Sequence, residues 1–559
     1  MLTRLLIVLA LLAAVLITPF AMRPDPETGG ASMSSCEKLI IITPHNESIQ
    51  SEFGNAFARH MKKAHDREVI VDWRQPGGTS VIAKFLSSEY SARFETLWKK
   101  QTRLPFSTAI KEGYQNRKLE IPDRVTSLTK QGKIIDSTGL DELSKKERAG
   151  LARQMFLESD IGVGIDLFFG GGAYDFSKQA SIGNLVPADA SGKYGPCALA
   201  KQRPDWFSDA IMPESASGEP FRDPEYRWVG TVLSSFGICY NTDILTRLGI
   251  DEGLSRWDDL TDPRLAGQIA LADPTKSGST TKAFEMLIQE QIQRLVRDGM
   301  EEDSAVREGW NNAIQMIMQI SANSRYFTDS AAKVPRDVAL GDAAAGMCID
   351  FYGRTFNEIF QRGDGDSHVQ FVIPRQGTSI GADPIGMLRG APSPELAHLF
   401  VEFVLSPEGQ NLWNLKPGVE GGPKRFSLRR PPIRKDFYEL ENSELRADPD
   451  LFPYDLAKDF IYHPERTGSL FAPLRFVIRC ACIEPHREQK EAWEALIDAG
   501  MPEEKIAKFL DVSGIDYDSV LSEIAPVLGK RDKVAEIRLA RDLSSKFRER
   551  YEKIAGGGK

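Results

Sequence analysis

The chain has 559 residues, enough for roughly three or four domains of ordinary size. Charged residues make up 27% and hydrophobic residues 41%, which is a globular mixture and excludes the disordered, collagen-like and disulfide-stapled classes. The net charge of −9 argues against a general nucleic-acid binder. The sequence contains neither a CxxC pair nor an HExxH motif, so it gives little support to a zinc hydrolase.

The N-terminus has the features of an export signal. Arg4 precedes an unbroken apolar run over residues 5–17. This run is shorter than the ~20 apolar residues of a standard transmembrane helix, but continued to Met22 it approaches a minimal span, and no clear A-x-A cleavage site follows. We predict a signal peptide or an uncleaved membrane anchor over residues 1–22 and a linker over residues 23–37. Either case places the body in the periplasm or elsewhere outside the cytoplasm.

The body begins with alternating strands and helices. An apolar run at residues 39–42 predicts a buried strand, and apolar residues four apart over residues 47–63 predict a helix. Residues 69–73 alternate as a second strand, which ends in the turn Pro76-Gly77-Gly78-Thr79-Ser80, and a helical pattern then resumes. This order indicates an α/β fold with parallel strands.

A polar, largely helical stretch over residues 88–160 interrupts this scheme. Its last helix is predicted to begin at Ser144, which forms a capping box with Glu147. A third buried strand follows at residues 165–169 and runs into Gly170-Gly171-Gly172. These glycines lack the P-loop lysine and the GxGxxG spacing, so they predict a cleft border or close backbone packing rather than a nucleotide loop.

The second half continues the alternation and then becomes helical. The predicted strands are residues 228–240, 269–271, 347–351 and 371–374. A long amphipathic helix is predicted over residues 282–297, directly after a Ser- and Thr-rich turn.

The C-terminal part differs in character from the rest. From Phe437 onward the pattern is helical and charged, so we predict that residues 433–559 form an added extension. The segment Arg430-Pro431-Pro432 resembles a linker, which predicts that the extension is separable. Within it, Cys480 and Cys482 are alternate residues of a segment that we predict to be extended, so the two should not be bridged to each other.

Seven short segments carry a family resemblance. They are Pro76-Gly-Gly-Thr-Ser80, Asp166-Leu-Phe-Phe-Gly-Gly-Gly-Ala173, Gly237-Ile-Cys-Tyr-Asn-Thr242, Trp257-Asp-Asp-Leu-Thr-Asp-Pro263, Asp273-Pro-Thr-Lys-Ser-Gly-Ser279, Gly341-Asp-Ala-Ala-Ala-Gly346 and Ser406-Pro-Glu-Gly-Gln410. In this order, over roughly residues 38–432, they resemble the extracellular (periplasmic) solute-binding proteins of ABC importers, in particular the group that contains ferric-ion, thiamine and polyamine binders. The stretch 88–160 and the residues after 432 depart from that family's plan.

The resemblance implies a two-lobed α/β fold of the class II periplasmic-binding-protein type. Ligand would lie in the cleft between the lobes, and two hinge strands would join them, with residues 232–240 and 369–374 as candidates. The first lobe would comprise residues 38–235 with the insertion 88–160, the second lobe residues 236–372, and the return to the first lobe residues 373–432.

Turns and strand ends that face such a cleft are the expected binding positions. The turns at 77–80 and 277–280 precede helices, whose free amides favour an anion, although both could be simple helix caps. His45 and Glu47 follow the first strand, and Asp350 and Tyr352 follow the strand that begins at residue 347. The predicted ligand-binding residues are His45, Glu47, Gly78, Thr79, Ser80, Gly171, Gly172, Ser277, Gly278, Ser279, Thr280, Asp350 and Tyr352.

The resemblance also suggests candidate solutes. Ferric-ion binders of this family use phenolates with His and Glu, because a hard trivalent cation prefers anionic oxygen. Only Tyr352 of the pair Phe351-Tyr352 keeps a hydroxyl. An organic or phosphorylated anion is therefore favoured, with Tyr352, His45 and Glu47 as the metal ligands if ferric iron is the solute. No cofactor is expected.

These observations together predict a receptor that captures a small solute and delivers it to an ABC permease in the inner membrane. A ligand-free scaffold or interaction protein on the same fold is one alternative, and an exported hydrolase is another. The chain has no G-x-S-x-G elbow and no sequence feature that pairs two carboxylates for acid–base catalysis, so no enzyme is predicted. No nucleic-acid partner is expected.

Overall fold

The computed structural model describes residues 36–363, 365–439, 443–530 and 532–556. The predicted signal or anchor and nearly all of the predicted linker lie outside these residues. Within the described ranges, no helix combines the length and the apolar character needed to cross a bilayer.

The strands are β1 Glu37–Ile42, β2 Val69–Arg74, β3 Thr129–Lys130, β4 Lys133–Ile134, β5 Leu167–Phe169, β6 Leu185–Val186, β7 Ser215–Ala216, β8 Glu219–Pro220, β9 Val229–Ser234, β10 Phe236–Asn241, β11 Ile269–Ala272, β12 Ser324–Thr328, β13 Ala345–Ile349, β14 Val369–Val372 and β15 Gly381–Leu388. The α-helices are α1 Glu47–His65, α2 Thr79–Thr102, α3 Thr108–Tyr114, α4 Asp123–Thr126, α5 Lys145–Glu158, α6 Ala173–Ile182, α7 Pro196–Gln202, α8 Thr242–Arg247, α9 Gly278–Arg297, α10 Glu302–Ala322, α11 Lys333–Ala339, α12 Asp350–Ile359, α13 Pro394–Leu405, α14 Pro407–Asn414, α15 Pro453–Leu456, α16 Pro464–Thr467, α17 Phe471–Ile478, α18 His486–Asp498, α19 Glu503–Phe509, α20 Tyr517–Ser519, α21 Ala525–Gly529 and α22 Lys533–Ile554.

The first lobe is built on a sheet with the strand order β2-β1-β5-β15-β6, and β9 also pairs with β15. Strand β1 runs parallel to β2 and β5, with Ile41 opposite both Trp73 and Leu167. Strand β15 runs antiparallel to its neighbours. Because β1, β2 and β5 end at the same edge of the sheet, the turns that follow them meet there.

The second lobe has its own sheet, with the order β12-β11-β13-β10-β14. The chain passes from the first sheet to the second at Ser235, since β9 pairs with β15 whereas β10 pairs with β13 and β14. It returns through residues 373–380, which separate β14 from β15. Strand β14 thus lies within the second sheet, and the return crossing begins only near the end of the predicted range 369–374. The topology confirms the two-lobed α/β fold.

The stretch that interrupts the first lobe does not begin where the sequence suggested. Helix α2 runs from Thr79 to Thr102 without a break, so the predicted boundary at residue 88 falls inside a helix. Tyr90, Phe94 and Trp98 on this helix are fully buried, which corrects the expectation of a polar segment. The capping box at Ser144 is confirmed, because its hydroxyl accepts a hydrogen bond from the Glu147 amide.

The extension after residue 432 is helical but is not a separate unit. Its helices α17 to α22 share one hydrophobic core with α9 and α10 of the second lobe. The Trp310 indole of α10 donates to the Ile515 carbonyl, and the Trp493 indole of α18 donates to the Asn323 side chain. The predicted separability is therefore wrong, because the second lobe completes its core with residues of the extension.

The segment that carries Cys480 and Cys482 is a π-helical turn, residues 479–483, and not an extended strand. Both thiols are buried, and burial raises the pKa of Cys480 to about 12. All six cysteines are free. The two are unbridged as predicted, although the extended geometry behind that prediction is wrong.

Candidate ligand-binding site

The turns after β1, β2 and β5 meet at the edge of the first sheet that faces the second lobe. His45, after β1, is 5% exposed, and its ring packs edge-on against Phe169 with centroids 4.7 Å apart. The position that a Cβ atom would take on Gly170 lies 2.3 Å from His45 Nε2, so only glycine fits there. Burial, together with the charge of Arg430, holds the pKa of His45 well below its usual value. His45 is therefore neutral at pH 7.

Arg430 lies at the centre of this cluster and was missed by sequence reasoning. It is fully buried, and its Nη1 atom lies 3.3 Å from His45 Nε2 while its Nη2 atom donates to Asp383 Oδ2 at 2.5 Å. The guanidinium also stacks 4.5 Å from the Phe351 ring centroid. Arg430 is thus a core residue, and the linker predicted at Arg430-Pro431-Pro432 is wrong.

Asp350 and Tyr352 reach the same cluster from the start of α12 in the second lobe. Asp350 is almost fully buried, accepts a hydrogen bond from Ser235 at 3.2 Å and lies 3.6 Å from Arg354. Burial raises the pKa of Asp350, while Arg354 opposes the rise. Burial also raises the pKa of Tyr352, so its hydroxyl stays protonated and can donate a hydrogen bond.

The turn at residues 77–80 of the first lobe lies close to the turn at residues 277–280 of the second lobe. Gly78 is the N-cap of α2, and a Cβ atom placed on it would lie 3.5 Å from the Lys276 carbonyl oxygen. Thr79 and Ser80 are buried at the start of this helix, and the Ser80 hydroxyl has no hydrogen-bond partner in the part of the chain that the structure describes. Gly171 has φ +115° and packs against Thr79. The structure thus brings these turns close together, and their role in binding stays a prediction.

A second group of side chains meets at Gly278, the first residue of α9. A Cβ atom placed there would lie 3.2 Å from Asp175 Oδ2 of the first lobe and 3.6 Å from Arg475 Nη2 of the extension. Asp175 is 4% exposed, and burial raises the pKa of its carboxyl while Arg475 opposes the rise. The extension thus reaches the junction between the lobes.

One turn further along α9, Lys282 forms a buried ionic network. Its ammonium lies 2.8 Å from Glu219 of β8, 3.0 Å from Glu285, and 3.4 Å from the ring centroid of Tyr462. The Tyr462 hydroxyl donates to Glu285 at 2.8 Å. Burial alone would lower the pKa of Lys282, but the two glutamates outweigh it and raise that pKa. First lobe, second lobe and extension therefore share one charged network.

The other predicted residues are placed less centrally. Glu47 is exposed in the first turn of α1, and Gly172 is an exposed N-cap of α6. Ser277 caps α9 by accepting a hydrogen bond from the Thr280 amide. Ser279 is partly exposed. Glu47 and Gly172 are thus the exposed members of the predicted set.

The predicted metal ligands are not assembled around one point. Glu47 is exposed whereas His45 is buried, and the Arg430 guanidinium occupies the position next to His45 Nε2 where a cation would bind. Within the described ranges, no group of three or more His, Cys, Asp or Glu side chains is arranged to hold a metal ion.

A groove of about 1200 Å³ lies elsewhere in the first lobe. It is lined by part of α2 and by residues 157–162 and 387–391, and it contains none of the predicted ligand-binding residues. Groove size alone therefore does not mark the predicted site.

Sequence reasoning missed the charged residues of the site for an identifiable reason. Arg475 is a lone basic residue within the apolar helix α17, and Asp175 lies three positions after the last of the three glycines. A charge inside an apolar helix is a signal for a buried polar role. The partners of these charges lie far away in the sequence, as with His45 and Arg430, which are 385 residues apart.

Residues 161–418 match the family model described as bacterial extracellular solute-binding protein. This range includes both crossings between the sheets, and it confirms the family resemblance for that part of the chain.

Curated relatives match over shorter ranges. A protein of Haemophilus influenzae, described only as uncharacterized, is 29% identical over 198 residues, which are 35% of this chain and 51% of that protein. A putrescine/agmatine-binding protein of Pseudomonas aeruginosa is 24% identical over 193 residues, which are 33% of this chain and 49% of that protein. The chain spans about half the length of the curated relatives it matches.

Solved structures align over more of the chain at lower identity. The periplasmic binding protein AfuA of Actinobacillus pleuropneumoniae aligns with 67% of this chain and 81% of its own, at 19% identity and a TM-score of 0.41. Iron-bound HitA of Pseudomonas aeruginosa aligns with 78% of this chain and 98% of its own, at 15% identity and a TM-score of 0.44.

Proposed function

We propose that this chain is an extracytoplasmic solute-binding receptor of an ABC importer, which holds a small solute between its lobes and presents it to an inner-membrane permease. The observation that carries the proposal is the family match over residues 161–418, which includes both crossings, all of the second sheet and every strand of the first sheet except β1 and β2. Lobes joined by such crossings can close on a ligand that contacts both of them. A receptor of this kind returns its solute chemically unchanged.

We infer that the solute is an organic or phosphorylated anion. The start of α2 in the first lobe and the start of α9 in the second approach each other, and each presents free amides at the positive end of a helix. Ferric iron is less well supported, because the fixed charge of Arg430 adjoins His45. A diamine is a competing solute, since one relative is named for putrescine and agmatine.

A ligand-free scaffold is the second candidate, and one observation favours it. The extension bonds to both lobes, because the Ser217 hydroxyl donates to the Phe460 carbonyl and the Gln289 amide donates to the His463 carbonyl. Such cross-links oppose opening of the cleft. In a scaffold they would hold one conformation permanently.

Native mass spectrometry of the purified full chain, combined with small-angle scattering, distinguishes the two candidates. A receptor is expected to carry or accept a small solute and to become more compact with it. A chain that binds no solute and keeps one radius of gyration would support the scaffold and contradict the receptor.

A proline variant tests whether the solute binds in the cleft at the start of α2. Thr79→Pro removes a free amide at the first position of α2, where proline is compatible with a helix. It should weaken binding of the solute. Lys145→Pro makes the same change at the first position of α5, which lies far from the cleft, and should leave binding unchanged.

A further inference from the structure

Helix α17 of the extension touches both lobes at the mouth of the predicted site. Its first residue, Phe471, packs against Tyr174 of α6 in the first lobe with ring centroids 4.3 Å apart. One turn later, the Arg475 Nε atom donates to the Thr281 hydroxyl of α9 in the second lobe at 2.8 Å. The Nε atom of Arg475 is therefore held at the junction, and this hydrogen bond does not involve the Nη2 atom of the guanidinium.

The remaining donor edge of Arg475 is not satisfied. Its Nη2 atom is buried, yet it has no hydrogen-bond partner among the described residues. Burial lowers the pKa of Arg475, and the nearby Asp175 and Tyr174 only partly oppose the effect. An unpaired buried donor of a charged group is costly, so native proteins seldom keep one without a role.

An acceptor lies opposite this donor. The carboxylate of Asp175, on a residue that is 4% exposed, adjoins Gly278 and lies in the field of the positive charges of Arg475 and Lys178. Asp175 and Arg475 both adjoin Gly278, but they do not form an ion pair with each other. A buried acid and a partly buried base thus face the same point at the start of α9, and the buried Nη2 atom of the base has no hydrogen-bond partner among the described residues.

We propose that Arg475 of the extension binds the anionic group of the solute together with the α9 amides, and that Asp175 accepts a hydrogen bond from a hydroxyl or ammonium group of the same molecule. This inference rests on the proposed receptor function and narrows its solute. The solute class is a small anion with a neighbouring donor, such as a phosphorylated polyol. Gly278 keeps the space between the two side chains open.

The test measures binding to the full chain by calorimetry with three probes: inorganic phosphate, glycerol 3-phosphate and putrescine. The wild type should bind glycerol 3-phosphate more tightly than inorganic phosphate, and putrescine least. Arg475→Ala should bind both phosphates at least tenfold more weakly, while Arg475→Lys should recover part of the loss. Asp175→Asn should lose the preference for glycerol 3-phosphate and keep the affinity for inorganic phosphate.

Controls separate binding from folding. Arg479→Ala changes an arginine one turn further along, which pairs with Glu484, and should bind as the wild type does. If Arg475→Ala does not fold, Gly278→Ala leaves both charges in place and should weaken both phosphates by filling the space between them. Melting temperatures without probe report any purely structural effect, which would lower stability and leave affinity unchanged.

Two results would overturn the proposal. In one, Arg475→Ala or Gly278→Ala binds the phosphates as the wild type does. In the other, the wild type prefers putrescine or ignores all phosphates. If native mass spectrometry meanwhile detects another bound solute, the receptor function stands and only this inference fails. If it detects no solute, the receptor function fails as well.

Discussion

At the scale of single residues, the fully buried Arg430 pairs with Asp383, whose side chain is 17% exposed. Arg430 and Asp383 are linked by a 2.5 Å hydrogen bond, and the arginine also reaches His45. Removing one partner of a buried pair costs more than the pair contributes, because the other charge is left without compensation.

Arg430→Met should therefore lower the free energy of unfolding by about 3–5 kcal/mol. Urea denaturation measures the change. Arg541→Met breaks a pair in which both side chains are exposed and should leave the urea midpoint where it is. Combining Arg430→Met with Asp383→Leu should recover part of the loss. A single variant as stable as the wild type would show that the pair makes no net contribution.

His45 should make stability depend on pH. Its pKa in the folded chain is well below the ordinary histidine value of about 6.5, through burial and then the charge of Arg430. The unfolded chain thus binds the proton more readily, so stability is lost as the pH falls below about 6.5. Burial also lowers the pKa of His486, which should add to the effect.

The corresponding measurement compares urea denaturation at pH 7.5 and pH 5.5. The wild type should lose more stability on acidification than His45→Gln, and the double variant with His486→Gln should lose the least. Equal losses in the wild type and in His45→Gln would mean that His45 does not stay neutral in the folded chain.

At the scale of elements, helix α9 joins the three parts of the molecule. Lys282 and Glu285 lie on one side of this helix and contact Glu219 of β8 and Tyr462 of the extension. Tyr462 both donates to a carboxylate and places its ring under an ammonium. Each contribution can be removed separately.

Tyr462→Phe should cost about 1–3 kcal/mol, because Glu285 loses a buried donor. Tyr462→Leu should cost about 1–2 kcal/mol more, because the cation–π contact with Lys282 is also lost. Urea denaturation measures both variants. Tyr226→Phe is the matched control, since the Tyr226 hydroxyl makes no hydrogen bond within the described ranges, and it should behave as the wild type does. Equal stability of Tyr462→Phe and Tyr462→Leu would contradict the contribution of the ring.

Elements with a strong local pattern could be predicted from the sequence, and those fixed by distant contacts could not. Strand β1, the turn at Gly78 and the capping box at Ser144 follow from apolar runs, glycines and cap residues that are neighbours in the sequence. The predicted boundary at residue 88 falls inside helix α2 because the buried aromatic residues of that helix pack against helices that come later in the chain. The same cause hid Arg430, whose role depends on a strand and a histidine far from it.

At the scale of the whole molecule, the extension from Phe460 onward completes the core of the second lobe, whereas its earlier residues Ile433 and Ala457 pack in the core of the first lobe. Its helices supply Trp493, Phe509 and Tyr551 to the core that surrounds α9 and α10. A chain without them would expose a large apolar surface, which soluble proteins rarely tolerate.

A chain that ends after residue 459 should therefore express poorly or aggregate. In any soluble fraction, hydrogen exchange should be fast in α9 and α10 and slow in β1, β2 and β5. Soluble protein with native protection in α9 and α10 would show that the second lobe is complete without the extension. The full chain, purified in parallel, gives the reference protection.

The strand order of the first sheet also constrains how the protein is made. Its central strand β15 pairs with β5, β6 and β9, all of which leave the ribosome much earlier. The core of the second lobe is completed even later in synthesis, because it includes Tyr551. Because synthesis proceeds at about 5–20 residues per second, the nascent chain exposes unpaired strand edges for tens of seconds. Such a chain needs chaperone protection until its last helix has emerged.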